Sequence, residues 1–532
     1  MPTALQLTGA PLSIRDVAEV ASGRRPVALA DDARRGMARS RAVVDAACRE
    51  DTPRYGINTG FGSLSRRRIA PHDLAELQRN LVRSHAAGVG PHLEPALVRA
   101  MMLLQAASLS RAVSGARPEL VDAILAMLNA GITPAVPAVG SVGASGDLAP
   151  LAAAVLPLIG EGRVYHRGVL RPAQDALPEA RLRPIELQAK EGLALINGTH
   201  LMAAQAALLL DDAERLLRGA VLACAMSIDA ARATDAFLDP RVHEVRRQPG
   251  QADIAAALRA CLAGSEIIPS HREGDPRVQD PYSFRCAPPV LGAALDCLRY
   301  VKLAVDNELG AVTDNPLVFA AAGTGHDRAA PSEEANAAES PAIISAGNFH
   351  GMPLAIPLDV AAIALSHVAG ISERRTFAML AASDPYSGLQ PYLAPHPGLQ
   401  SGLMIAQYTA AACCNEIIGL AAPASVANIS TSAGIEDYNS FGPRAGAKAA
   451  RALELTRSVV AIELLCAAQG IDLHRPLRSG ASLETLHARI REAVPTLDAD
   501  RPLTPDIEAM TTLLRTDLPF PAGAPPLLLP AR

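Results

Sequence analysis

From Thr199 onward the 532-residue chain keeps returning to one pattern: 199–235, 287–311, 353–372, 402–421 and 446–469 each carry apolar residues at helical spacing with few breakers. Segments of that length bury their apolar faces most simply against one another, so the spacing predicts a mainly α fold built on a bundle of long antiparallel helices. Composition fixes what can fill such a bundle. Trp is absent and aromatic residues make up 3% of the chain, so the core must be Ala, Leu, Val and Ile, which suits closely spaced helices better than a β-sandwich.

The chain before residue 140 reads as short amphipathic helices alternating with turns. In 71–87, Leu74, Leu77, Leu81 and His85 share one face before Gly88 and Gly90-Pro91 stop the helix. A polar, proline-containing connector covers 167–185, and a boundary is expected near 197. This gives an N-terminal domain over 1–197 and a long-helix core with C-terminal helices over 198–532. "GHDRAAPSEEANAAES" (325–340) has the composition of a mobile surface loop, and prolines make the tail "LPFPAGAPPLLLPAR" extended.

Several function classes are closed off. A net charge of −5 offers no basic surface for nucleic acid. The eight cysteines never fall at C-x-x-C spacing and no signal-like segment precedes residue 30, which predicts a reducing cytoplasm. Asp211, Asp212, Glu214, Arg215 and Arg218 interrupt 199–235, and prolines and glycines break 385–415, so neither is expected to span a membrane. No H-E-x-x-H, C-x-x-C or P-loop pattern is present, and Ser145 lacks the second glycine of G-x-S-x-G. Of the three lysines, Lys190, Lys302 and Lys448, none has a distinctive sequence setting, which argues against pyridoxal phosphate. No metal, pyridoxal or nucleotide cofactor is expected.

One stretch stands apart from the helices. "GSVGASGDLAP" (140–150) crowds Gly140, Gly143 and Gly146 around Ala144 and Ser145, with Asp147 behind, at a recurring cost in backbone entropy. In a sufficiently compressed turn the amide nitrogen of Gly146 reaches the carbonyl carbon of Ala144 and closes a five-membered ring. Loss of water from that ring, then of the Ser145 hydroxyl, leaves a methylene conjugated to a carbonyl, a strong electrophile. The spacing alone also permits a plain glycine-rich turn before a helix.

The longer stretch "GSVGASGDLAPLA" resembles the signature of the aromatic amino acid ammonia-lyases and aminomutases, in which Ala-Ser-Gly becomes 4-methylidene-imidazol-5-one (MIO). "YGINTGFG" (55–62), "LVRSHAAGVG" (81–90), "EGLALINGT" (191–199), "QDPYSFRC" (279–286), "DNPLVF" (314–319), "GNFHG" (347–351) and "SGLMIAQYTAAA" (401–412) match in the same order. The resemblance implies a helical fumarase/aspartase-like fold, a homotetramer whose active sites draw on three subunits, and an MIO made from Ala144, Ser145 and Gly146. It also implies roles, each beside a plainer alternative. Tyr55 resembles the catalytic tyrosine on a mobile lid; a tyrosine in such a loop otherwise packs. Asn197 resembles the residue that hydrogen-bonds the prosthetic group and substrate amine; otherwise it caps the helix that follows. Tyr282 joins the catalytic set. Arg285, with Gln279 beside it, is placed to fork onto a substrate carboxylate, where an isolated arginine would be a surface ion pair. Asn348 and Phe349 resemble pocket residues.

For the substrate, Ser84-His85 resembles the pair with which histidine lyases read the substrate ring; the alternative is a satisfied core histidine. Glu416 resembles the glutamate that histidine lyases place near the imidazole; it is the only Asp, Glu, Lys or Arg in 385–435, its neighbours are apolar on every side so burial is expected, and an imidazole N–H would partner it. A partner within the bundle or across a subunit interface is the alternative. Two stretches depart from the histidine-lyase pattern: Gly351-Met352-Pro353 replaces Ala-Glu-Pro, and "GIEDYNSFG" (434–442) carries Ile435, Tyr438 and Asn439 for Gln, His and Val. The resemblance implies elimination of ammonia from L-histidine to give trans-urocanate. The alternatives are an ammonia-lyase or 2,3-aminomutase for tyrosine or another aromatic amino acid and, more remotely, a non-catalytic helical scaffold or a lyase of that shape with no built-in electrophile.

Overall fold

A computed structural model describes residues 3–321 and 341–530, with the side chain of Ser63 left aside. The loop expected over 325–340 and the last two residues of the tail lie outside the described residues. The long segments form helices as their periodicity requires: His200–Ala230, Ala287–Glu308, Met352–Ala381, Met404–Ala421 and Gly442–Asp472. Two outgrow their expected bounds. Met352–Ala381 runs through Ser372-Glu373-Arg374-Arg375, whose polarity reads as a break, because Ser372 and Arg375 are buried against Glu463: the hydroxyl donates to Oε2 at 2.6 Å and the guanidinium Nη2 to Oε2 at 2.9 Å. Gly442–Asp472 starts early because Pro443, with its fixed φ and no N–H, suits the first turn of a helix. Met352–Ala381 is also long and apolar enough to cross a membrane, the one such helix among the described residues; 67% of its apolar window is buried in the fold.

The residues group into two units, both discontinuous in sequence. The first comprises 1–208, 303–356 and 424–446, the second 209–302, 357–423 and 447–532. The division is therefore interleaved and differs from the linear split at 197, because 303–356 and 424–446 return to the first unit.

The first unit mixes short helices with four small sheets. In Pro95–Ser110, Val98 and the residues from Ala100 through Ser110 are all buried. Ile14–Ala21 opens with a capping box in which Ser13 and Asp16 satisfy each other's backbone N–H groups. The 71–87 stretch is a 3₁₀ turn, Pro71–Asp73, followed by the helix Leu74–His85, with Leu74 and Leu81 buried. Leu317–Phe319 pairs antiparallel with Ala342–Ile344, which fixes the segments on either side of this ladder. In the second unit the core is Ala, Leu, Val and Ile from the helices, around the buried Glu463–Arg375 pair, where Ser227 Oγ also donates to Glu463 Oε1 at 2.8 Å.

One lysine contradicts its bland sequence setting. Lys190 is fully buried, adopts a left-handed backbone (φ 73°), and its Nζ lies 2.6 Å from Asp314 Oδ2. Burial lowers its pKa against the opposing pull of Asp314. Next to it, buried Glu191 takes Arg117 Nε at 2.8 Å and the N–H of Gln188 at 2.8 Å. Together these pairs anchor the start of Glu191–Ile196 and tie it to residue 314. Lys190→Ala leaves a carboxylate buried without its cation, so it is expected to cost about 3–5 kcal/mol, read as a lower denaturant midpoint. Lys190→Met with Asp314→Leu should recover most of that loss; a single variant with the parental midpoint would show the pair to be inert.

Candidate active site

The Ala144-Ser145-Gly146 loop needs glycine where it has glycine. Gly143 and Gly146 have φ of 69° and 73°. Gly146 pairs in parallel with Gly198, and a Cβ at Gly146 would collide with the Gly198 backbone. The loop is held from every side. Asp147 N donates to Gly198 O at 2.8 Å, Phe441 N to Val142 O at 2.9 Å, Ser440 Oγ to Gly143 O at 2.9 Å, Gly351 N to Gly143 O at 3.3 Å, and Ser141 Oγ to Gly146 O at 3.1 Å. Its small residues and enforced turn are what ring closure between residues 144 and 146 requires, so they fit the MIO group.

Asp147 follows, completely buried, accepting the N–H groups of Leu201 and Met202 at 2.8 and 3.1 Å at the start of His200–Ala230. Burial outweighs these bonds and pushes its carboxyl up to about 7. Asn197, at the end of Glu191–Ile196, reaches the loop from the other side. With its amide oriented to satisfy its neighbours, Nδ2 donates to Ser145 O at 3.0 Å and Oδ1 accepts from Asn315 N at 2.9 Å. Asn315 Oδ1 in turn accepts Ala346 N at 2.8 Å and Ser345 Oγ at 3.2 Å.

A cavity of about 850 Å³ opens in front of Ser145. Of the sequence-derived candidates it gathers Tyr55, His85, Ala144, Ser145, Asn197 and Phe349. Gly146 is buried and Asn348 is exposed, its Nδ2 donating to Val312 O at 3.3 Å; neither lines the cavity. His85 Nδ1 lies 2.8 Å from Leu81 O, and a carbonyl can only accept, so Nδ1 carries a hydrogen and in the neutral ring Nε2 is the acceptor. Tyr55 is half-buried. Burial raises its pKa, a backbone hydrogen bond from Gly62 lowers it, and the charge of Glu436 raises it further.

Four candidates lie elsewhere. Gln279, Tyr282 and Arg285 belong to the second unit and cluster there: Arg285 Nη2 donates to Gln279 Oε1 at 2.7 Å, and its guanidinium sits 4.6 Å from the centre of the Tyr282 ring, which is 70% exposed. Glu416 is not buried. It is exposed on Met404–Ala421 and accepts Arg451 Nε at 2.8 Å, because the apolar side chains that suggested burial, Ile405 and Ile418 among them, are themselves exposed. The carboxylate beside the reactive loop is Glu436, whose Oε1 accepts the Ser145 hydroxyl at 3.2 Å and whose Oε2 accepts Thr431 Oγ1 at 3.2 Å. Asp437, Tyr438, His350, Asn315 and Arg67 also line the cavity without having been singled out as site residues. Glu436 stands in "GIEDYNSFG", where the Glu-Asp core shared with the histidine-lyase pattern was its available signal.

Known proteins resemble this chain over nearly its whole length. The model of the aromatic amino acid lyase family matches residues 12–492. A histidine ammonia-lyase of Sorangium cellulosum is 49% identical over 96% of this chain and 97% of its own. A crystal structure of histidine ammonia-lyase from Trypanosoma cruzi superposes with a TM-score of 0.85 at 38% identity, covering 96% of this chain and 93% of that one. The tyrosine aminomutase of Streptomyces globisporus gives 0.87 at 31% identity, covering 96% and 97%. A family match that runs from near the N-terminus past the last long helix, on a chain whose Ser145, His85 and Glu436 line one cavity, leaves one assignment: the chain belongs to the aromatic amino acid lyase family.

Proposed function

We propose that this protein is a histidine ammonia-lyase, a carbon–nitrogen lyase that converts L-histidine to trans-urocanate and ammonia. The observation that carries the reading is the shared cavity of Ser145, Tyr55, His85 and Glu436, and near-full-length relatives named histidine ammonia-lyase support it. The MIO formed from Ala144, Ser145 and Gly146 supplies an electrophilic methylene that makes the substrate's amine a better leaving group. The rest falls to side chains. His85 presents the Nε2 lone pair to a ring N–H of the substrate, and Glu436 gives a second acceptor when the imidazole carries both protons. Tyr55, as phenolate, takes the β-proton, after which the Cα–N bond breaks and the double bond forms. Asn197 holds the Ser145 carbonyl and keeps one amide hydrogen for the substrate amine.

Arg285, with Gln279 beside it, carries the carboxylate-binding role in this reading and Tyr282 a catalytic one, all three contributed to the cavity of a neighbouring copy within a homotetramer. Exposed Tyr282, Ile405, Tyr408 and Ile418 supply apolar surface for that assembly. The eight cysteines are free thiols, which suits the cytoplasm. The experiment is product identification. Purified protein given L-histidine, L-tyrosine and L-phenylalanine separately should release urocanate from histidine; cinnamate-type or β-amino acids with no urocanate would transfer the assignment to the aminomutases and the other aromatic lyases.

A further inference from the structure

The two stretches that depart from the histidine-lyase pattern, around Gly351-Met352 and Tyr438-Asn439, meet in the fold. His350 Nε2 lies 3.2 Å from the backbone oxygen of Tyr438, and Met352 N donates to His350 Nδ1 at 3.3 Å. A carbonyl only accepts and a backbone amide only donates, so His350 is fixed as the neutral ring protonated on Nε2. Both nitrogens are engaged, which makes the ring a strut between two segments. The strut fits because residue 351 has no side chain: a Cβ there would run into Met202 and Ser440 Oγ. Asn439 fixes the backbone on the other side of Tyr438, its N–H donating to Asn428 Oδ1 at 3.2 Å and its Oδ1 accepting Ile429 N at 3.1 Å.

What these anchors hold out is the side chain of Tyr438. Its ring lies on the cavity wall, two residues from Glu436, 63% exposed, at 6.1 Å and 32° from the His350 ring. Backbone bonds on both flanks hold the residue, and within the single chain its ring is left open toward the cavity. A rigidly mounted, uncovered aromatic ring at the wall of a substrate cavity is a packing surface for a flat substrate side chain.

We propose that Tyr438, positioned by His350, is a specificity-determining residue: its ring is the wall against which the aromatic side chain of the substrate packs. The proposal rests on the lyase reading only in requiring an aromatic amino acid as substrate. Such packing is made in the ground state and kept in the transition state, so its loss moves KM and leaves kcat nearly unchanged. A five-membered imidazole and a six-membered phenol meet the wall differently, so its removal also changes discrimination between them.

The test is kcat and KM on L-histidine and L-tyrosine for the parent, Tyr438→Ala, Tyr438→Phe and His350→Ala, with the intact mass of each protein. Tyr438→Ala is expected to raise KM for histidine about 10-fold, keep kcat within about 3-fold, and lower the histidine-to-tyrosine ratio of kcat/KM about 10-fold. Tyr438→Phe keeps the ring and should stay within about 3-fold of the parent, while His350→Ala should move KM in the same direction by less. A mass lacking two waters in every variant shows that the reactive loop has formed and that the fold around it stands. Unchanged KM and ratio in Tyr438→Ala, or a loss confined to kcat, overturns the proposal. If the parent makes no urocanate but acts on another aromatic amino acid, the histidine reading fails, and the same KM comparison on that amino acid still decides the role of Tyr438.

Discussion

Ser145→Ala is expected to fold like the parent and to lose turnover by about 10³-fold or more, the scale on which an enzyme loses rate when its covalent reagent is removed. The two halves of that expectation rest on different observations. Folding survives because the Ser145 side chain makes one hydrogen bond, to Glu436 at 3.2 Å, while the loop's anchors run through the backbone at 142, 143, 146 and 147. Turnover fails because the hydroxyl is the group whose departure creates the methylene, and alanine offers nothing to eliminate. Intact mass supplies the check: the parent should weigh two waters less than its sequence requires and the variant should not show the full loss. Near-parental activity in Ser145→Ala would remove the self-made electrophile from the mechanism.

Tyr55→Phe is the second large effect, expected at about 10² to 10⁴-fold in kcat with the two-water loss intact, since it removes only the proton acceptor of the proposed mechanism. The site does not favour the phenolate at rest. Burial and the nearby Glu436 charge hold the phenol above its ordinary value, with one backbone hydrogen bond from Gly62 opposing them. An ordinary tyrosine is already less than about 0.1% ionised at pH 7, and a raised pKa lowers that fraction further. The reactive form of Tyr55 therefore becomes more abundant as pH rises, so kcat/KM should climb from neutral into alkaline solution in the parent. Tyr55→Phe should lack that climb. A variant with the parental pH profile would mean that another group takes the proton.

How much of this was legible before the structure depends on what each feature needs. The long helices were readable because a 3.6-residue period over many turns has few alternative meanings. The extension of one of them through Ser372 and Arg375 was not, because the residue that satisfies both, Glu463, stands about 90 positions away in the sequence. The same holds for Lys190, whose partner Asp314 is 124 residues distant. The glycine loop was legible because its composition is local and costly. Glu416 was misjudged for an instructive reason: apolar neighbours on a helix predict burial by something, and in the single chain Ile405, Tyr408 and Ile418 of that helix are exposed. Glu436 sits in irregular backbone with no period to reveal which way it faces. Gln279, Tyr282 and Arg285 were recognised as a group and do cluster, but away from the Ser145 cavity.

The clamps on the reactive loop come from far along the chain: Gly198 and the amides of Leu201 and Met202, then Gly351, then Ser440 and Phe441, the Ser440 bond spanning 297 positions. A nascent chain that has not yet been synthesised past residue 441 has the complete Ala-Ser-Gly sequence and lacks part of the vice that compresses it. Chemistry that depends on that compression is thereby reserved for molecules that have brought distant segments together. If the loop forms the proposed electrophile, the topology sets the order: the distant segments meet first and the ring closes afterwards.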